Sequence, residues 1–545
     1  MKKALSVLLA ALMLLPFAGL FSFAAENVAN IYVVGSQEIY RFNEDGTRTE
    51  IFDDGDYLAS LLPNLISPAL KGIATGDWTE YADTVLAGIM PAFEGFTPNP
   101  DGTMPENTGI RWSWTYDTLA PTSPVTWDGI KLRAYFFLPD VRYSPLVLAD
   151  QLNEYIEAVK RKTGATKINL LSRCEGCSIA LAYLVKYERP KDYAGVNSFL
   201  MLDGAMNGIG YMDALFSGNV VLPNETVARW ARTYQLDELT VEEGSTMDKL
   251  IAFARDLVQA LYETHALSVL SMPIQSLYDQ LKDNTIQPII KAWWGVSLTH
   301  VSCVNEHFED YLTYIFNEPG DAEKYATIIA LAKDFHYNIQ LHNDEIVLEM
   351  VEKGIPVNIV GEYGFQQYPL YEDAELLGEH QTGLREQAFG PTVSSVQGTL
   401  SDKYINIRVT EGKGKYISPD KQIDASTCLL PDNTWFIKNV DHRYTEAVHL
   451  LITALVDNPR CTVDTLGVYG QFLNAKDQYV LEPLQEVNDN DVDWTPTEPG
   501  VAGENVFRTL GSLLVKLIGW IRSFIAGIVA HANGTAEPVD PSIFA

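Results

Sequence analysis

At 545 residues, with 47% hydrophobic and 20% charged side chains, the chain is too long for one small domain and too apolar to be disordered. Its formal net charge of −32 disfavours nucleic acid and anionic membranes as partners of the main body. The five cysteines, at 174, 177, 303, 428 and 461, are odd in number and sparse, which argues against a disulfide framework.

The chain opens with Lys2 and Lys3, an apolar run, and small residues at Ala24 and Ala25. This reads as a signal peptide over 1–25 and implies a secreted or extracytoplasmic protein. Asn30 to Gly35, NIYVVG, is a short buried strand ending in a tight turn. Residues 40–53 alternate in polarity around an EDG turn, and 90–128, rich in Pro, Gly, Thr and Trp, reads as loop. Leu132 to Leu138 is strand-like. Apolar residues at 148, 152, 156 and 159 predict a helix over 146–162, capped by Gly164. Lys167 to Leu171 is a strand, Ser178 to Tyr187 a helix stopped by Pro190, and Ser198 to Leu202 a strand. Strands alternating with helices in this way predict a parallel sheet with crossover helices.

From 207 to 352 the periodicity is mainly helical, as in a cap inserted into a core whose first part is 26–206. The second part of the core, 353–482, holds expected strands at Pro356–Val360, Tyr404–Val409 and Thr434–Ile437, then a helix at Arg443–Leu455. Residues 483–505 are an acidic, Pro-rich linker. Residues 506–531 form an amphipathic helix whose only charges over 506–529 are Arg508, Lys516 and Arg522, and 532–545 is a tail. Such a helix suits a membrane surface, and with it cell-surface association, or docking on the acidic body.

Cys174 lies in KINLLSRCEGCSIALAYL, with Ser172 two places before it and Gly176 two after. Three readings fit it: a nucleophile on a strand-to-helix elbow, half of a Cys174–Cys177 redox pair, or a space-filling thiol. As a nucleophile it would gain an oxyanion donor from the Glu175 backbone N–H, and the helix N-terminus would depress its pKa. A second register would put Ser178 at the elbow. Downstream, His442 follows a strand, and Asp420 and Asp424 share a loop before it, so the order nucleophile, acid, histidine is available. His265, His300, His307, His336, His342, His380 and His449 read as structural.

Phe137-Leu-Pro-Asp-Val-Arg-Tyr-Ser-Pro145 resembles the F-x-Y-D-W-R-x-S-P segment of α/β-hydrolases related to lecithin–cholesterol acyltransferase, with Val141 in place of tryptophan. Val33-Val-Gly-Ser36 is similar to that family's V-P-G-x-x-G-S opening, and SPDKQIDASTC to its acid-bearing loop. The elbow departs from the family's G-H-S-x-G-G at four positions, Ser172, Arg173, Cys174 and Cys177. The resemblance covers about residues 30–455 and implies an α/β-hydrolase fold: a mostly parallel sheet flanked by helices, with an inserted, mainly helical cap.

It further implies hydrolysis or transfer of acyl esters, esterase- or lipase-like, on a small-molecule or lipid acyl substrate. Cys174 would be the nucleophile, His442 the base and Asp420 the acid, with Asp424 the alternative acid. Backbone N–H groups of Ser36, Gln37 and Glu175 would form the oxyanion hole. Neither cofactor nor metal is expected. Two other classes stay open, a catalytically inactive hydrolase-like binding protein and a CxxC thiol–disulfide oxidoreductase, and the oligomeric state is undetermined.

Overall fold

The computed structural model describes residues 27–35, 39–50, 64–93 except 66, 69–70 and 73–74, then 95–110, 114–121, 133–222, 226, 275–442, 447–477 and 480–486. The signal segment 1–25, residues 487–505 of the linker, the helix at 506–531 and the tail therefore lie outside the described residues, as does 227–274 of the cap. Two compact units divide the chain, 1–221 with 277–492 and 222–276 with 493–545. Everything that follows belongs to the first.

Its centre is an eight-stranded sheet of β1 (Val28–Val33), β2 (Tyr135–Phe137), β3 (Lys167–Cys174), β4 (Val196–Gly204), β5 (Val357–Tyr363), β6 (Thr434–Lys438), β7 (Phe472–Asp477) and β8 (Val480–Pro483). The spatial order is β8-β7-β6-β5-β4-β3-β1-β2. Every neighbouring pair is parallel except β7–β8. Parallel neighbours need crossover connections, so helices cover both faces and the strands become apolar on both.

The alternation along each strand sorts the core into two layers. Ile168, Leu170, Phe199, Met201 and Ile359 face one side. They meet α1 (Pro145–Thr163), α2 (Gly176–Tyr183) and α3 (Asn343–Glu352). Leu171, Leu200, Leu202, Val360 and Trp435 face the other, where α4 (Val448–Asp457) packs through Leu451, Ile452 and Leu455. Capping chemistry sets the ends of α1. Ser144 Oγ accepts the Leu146 N–H at 3.2 Å, Pro145 takes the first turn, and Gly164 at φ 75° closes the helix onto the Lys160 carbonyl.

Three local expectations are corrected. Tyr404–Val409 is helical, within Asp402–Thr410, because Ser401 Oγ caps the Tyr404 N–H at 3.3 Å. Its alternating apolar residues leave Ile407 and Val409 exposed instead of building a strand face. β3 does not stop at Leu171 but runs to Cys174, since Ser172 and Arg173 find partners in the sheet interior. A helix at Thr79–Phe93 precedes, and overlaps, the stretch read as loop. Residues 108–110 of that stretch pair with 39–42 in a small three-stranded sheet.

The described part of the cap segment is helical, including Gly210–Ser217, Gln287–Ala292, Phe308–Ile315 and Ala326–Asn338 as well as α3. It is tied to the core by backbone bonds from Leu298 to Arg142 and from Thr299 to Val141. Gln340 and Asn343 also donate to the Met206 carbonyl. Among the described residues, no helix is long and apolar enough to cross a membrane.

The Asp140–Arg142 pair locks the loop after β2. Arg142 Nε and Nη2 grip the two carboxylate oxygens at 2.9 and 2.6 Å, and Nη1 donates to the Phe96 carbonyl and Thr108 Oγ1. Arg142 is 1% exposed. Replacing it with Met should strand Asp140 without a countercharge and cost about 3–5 kcal/mol. A urea titration of Arg142→Met against the parent checks this, with a clearly lower midpoint expected.

Candidate active site

The site begins with a backbone constraint. Cys174 ends β3 at φ 52°, a conformation costly for a residue with a side chain, and α2 starts two residues later. The turn is possible because position 176 is glycine. A Cβ there would lie 2.5 Å from the Val33 carbonyl oxygen and 2.7 Å from that of Val34. A Cβ on Gly35 would sit 3.4 Å from the Cys174 Cβ, so the loop leaving β1 passes directly over the cysteine.

The Cys174 thiol lies beside His442, whose charge acts on it. On the far side of the ring, Nδ1 lies 2.9 Å from Asp203 Oδ2 and 3.1 Å from Glu379 Oε2, aligned for a straight hydrogen bond with neither. Both carboxyls are 0% exposed. Asp203 is held at φ 47° near the end of β4. Glu379 is fixed through Oε1, which accepts the Thr382 N–H at 2.5 Å, and its carbonyl accepts the His442 backbone N–H at 3.1 Å. A further acid, Glu362 of β5, is bound by Arg173 Nη2 at 2.8 Å, and the same nitrogen donates to the His442 carbonyl.

Burial and crowding of like charge set the proton affinities. Burial, helped by Asp203 and opposed by His442, pushes the Glu379 carboxyl up to about 8. Burial likewise takes Glu362 to about 7 against the pull of Arg173. For His442 burial acts downward, but Cys174, Glu379 and Asp203 outweigh it and leave the ring well above its ordinary value. Burial raises the Cys174 thiol, with His442 pulling the other way. The expected depression by the helix N-terminus is therefore corrected: desolvation wins at this thiol.

The structure brings Cys174 and His442 together but not Asp420. That carboxylate is occupied by Lys438 Nζ at 2.7 Å, Ser418 Oγ at 2.6 Å and the Tyr363 hydroxyl at 3.3 Å. Asp424 is likewise taken, by Arg408 Nε at 2.7 Å and the Tyr404 hydroxyl at 2.8 Å. The carboxyls at His442 are Asp203 and Glu379, and neither was singled out in the sequence. The available signals were an acid just past the apolar run of β4, and a glutamate with no local pattern at all.

Ser36 and Gln37 lie outside the described residues. Glu175 caps α2, and its side chain is turned away into a buried contact with His300 Nδ1 at 2.5 Å and Cys303 Sγ at 3.8 Å. Ser178 is fully buried within α2, which removes the second register. All five cysteines are free and buried. Cys177 points into the core, where its thiol meets Ser172 Oγ at 3.1 Å.

Asp203, Glu379 and His442 also bring three donor atoms close enough to share a cation. An imidazolium between two carboxyls accounts for the same convergence. A cleft of about 740 Å³ is lined by Asp213, His307, Lys282, Arg385, Glu386 and Ile209 among others, and Cys174 is not on its wall. No protein-family model matches the chain, and no curated protein matches it.

With Cys177 raised to about 12 by burial and Cys174 softened by His442, iodoacetamide should label Cys174 in the native protein and spare Cys177. The Cys174 rate should climb from pH 7 to pH 9, because its thiol starts above the ordinary value. Peptide mapping of the alkylated protein reads both. Labelling of Cys177 first would contradict the assignment.

Proposed function

We propose that this protein is an α/β-hydrolase that transfers acyl groups from esters, to water in the simplest case. Cys174 is the nucleophile, His442 the general base and acid, and Asp203 the carboxylate that orients His442. The observation that carries this reading is a left-handed cysteine at a strand-to-helix turn, facing a histidine whose other nitrogen meets buried carboxyls. The strand-turn-helix context is the one a nucleophile elbow requires, and the order Cys174, Asp203, His442 is that of the α/β-hydrolase topology. A mostly parallel sheet with helices on both faces agrees with it.

In this reading His442 takes the thiol proton as Cys174 sulfur bonds to the ester carbonyl carbon. The tetrahedral oxyanion is met by the Glu175 backbone N–H at the start of α2. The bond to the alcohol oxygen then breaks, and His442 returns the proton to that oxygen. Water, deprotonated by His442, attacks the thioester and releases the carboxylic acid and the free thiol. Ala205, Ile209 and Cys303 pack with Cys174, bordered by Tyr211 and Met212. That apolar wall supports an apolar acyl group. The redox alternative is disfavoured because Cys177 is fully buried and engaged with Ser172.

Cys174→Ala and His442→Ala should each lower hydrolysis of a p-nitrophenyl ester by at least about 10⁴-fold. Asp420→Asn should leave the rate of the folded protein intact. Activity should rise from neutral toward alkaline pH, since both Cys174 and His442 hold protons more tightly than usual and the reactive pair carries one proton fewer. Undiminished hydrolysis in His442→Ala would overturn the proposal. A folded parent inert toward a panel of acyl esters would favour the binding-protein alternative.

A further inference from the structure

Two carboxyls, not one, converge on His442. One suffices to hold a tautomer and balance an imidazolium, and a second buried acid beside the first is opposed by like-charge repulsion. The two arrive independently. Asp203 comes from the end of β4, and Glu379 from the chain beyond β5, next to the short strand Leu377–Gly378. They reach the same nitrogen at 2.9 and 3.1 Å. Glu379 is positioned without help from Asp203, through Thr382 and through the backbone of His442 itself. Asp203, by contrast, has no aligned hydrogen bond at either oxygen. The charged and titratable groups around them are Tyr32 from β1, Cys174 and Arg173 from β3, Cys177 from α2, Glu362 from β5 and His442.

We infer that Glu379 is a second acid for His442, able to orient the ring and balance its charge when Asp203 is lost. This deepens the proposed function but rests only on the Cys174–His442 pair, not on ester hydrolysis. The exchange is built into the electrostatics. Burial and then Asp203 keep the Glu379 carboxyl protonated up to about 8, so removing the Asp203 charge frees Glu379 to ionise nearer neutrality. Two acids on one ring thus act as one carboxylate plus one held in reserve.

The test uses the full chain with Asp203→Asn, Glu379→Gln and the double variant, and reads iodoacetamide alkylation at Cys174 as a function of pH. Asp203→Asn should slow alkylation less than roughly tenfold, and the double variant at least roughly 100-fold, more than the product of the single effects. The parent profile should carry an inflection near pH 8 from Glu379, and Glu379→Gln should remove it. Circular dichroism confirms folding. Should the double variant not fold, Asp203→Asn with Glu379→Asp, which withdraws the carboxyl from the ring but keeps its charge, takes its place and should show the same loss. Additive effects, or Asp203→Asn alone as slow as the double variant, would overturn the inference. The predicted pattern in a protein that hydrolyses no ester would uphold it and refute the hydrolase reading separately.

Discussion

The main chain turns at Cys174 with room for nothing larger than hydrogen at position 176. Carbonyl oxygens of Val33 and Val34 occupy the space a side chain would need. That contact fixes the distance between β1 and the start of α2, and so fixes where the thiol stands relative to the loop leaving β1. The cysteine itself adopts a left-handed backbone that an ordinary turn would avoid. Strain of this kind persists only where the surroundings over-determine it. Here they do: β3 is paired on both sides, and α2 is buried along its whole length.

The parallel sheet supplies the rest of the site. Gly35 after β1, Cys174 ending β3, Asp203 near the end of β4, Glu362 near the end of β5 and His442 after β6 all lie at the carboxyl ends of strands. In an open α/β sheet those ends collect at one edge, which is why residues so distant in sequence can act on one imidazole. Asp203 shares the same kind of backbone strain as Cys174, at φ 47°. The two strained residues are on adjacent strands, joined where the Ala205 N–H donates to the Cys174 carbonyl at 3.2 Å.

Concentrating three acids at that edge has an electrostatic consequence. Asp203, Glu362 and Glu379 are all 0% exposed, and Arg173 and His442 are the cations beside them. Full ionisation of the acids would leave excess negative charge in a poorly solvated place, so protons are retained and the affinities of Glu362 and Glu379 rise. Arg173 serves two partners at once, the Glu362 carboxylate and the His442 carbonyl, and thereby ties the charge balance to the position of His442. On the opposite flank, Glu175 is held by His300 from the cap segment, so the first residue after Cys174 is anchored to a helix far along the chain.

What the sequence determined by itself was local. The small residues around Cys174, the apolar runs of β1, β3, β4 and β6, and the Ser144 and Gly164 caps of α1 are short-range patterns, each set by sterics or hydrogen bonding within a few residues. His442 was legible for a similar reason, as a histidine directly after the β6 run. Alternation misled at Tyr404–Val409, where a serine cap outweighs a strand-like pattern that has no sheet to join. The acids were decided only by tertiary structure. Asp420 sits in a loop whose pattern suits the role, yet Lys438 and Ser418 consume its carboxylate. Asp203 and Glu379 carry no local signature, because what recruits them is the register of β4 and β5 beside β3 and β6. Strand order is set by which crossovers bury apolar surface across the whole sheet, and no window of sequence contains that sum.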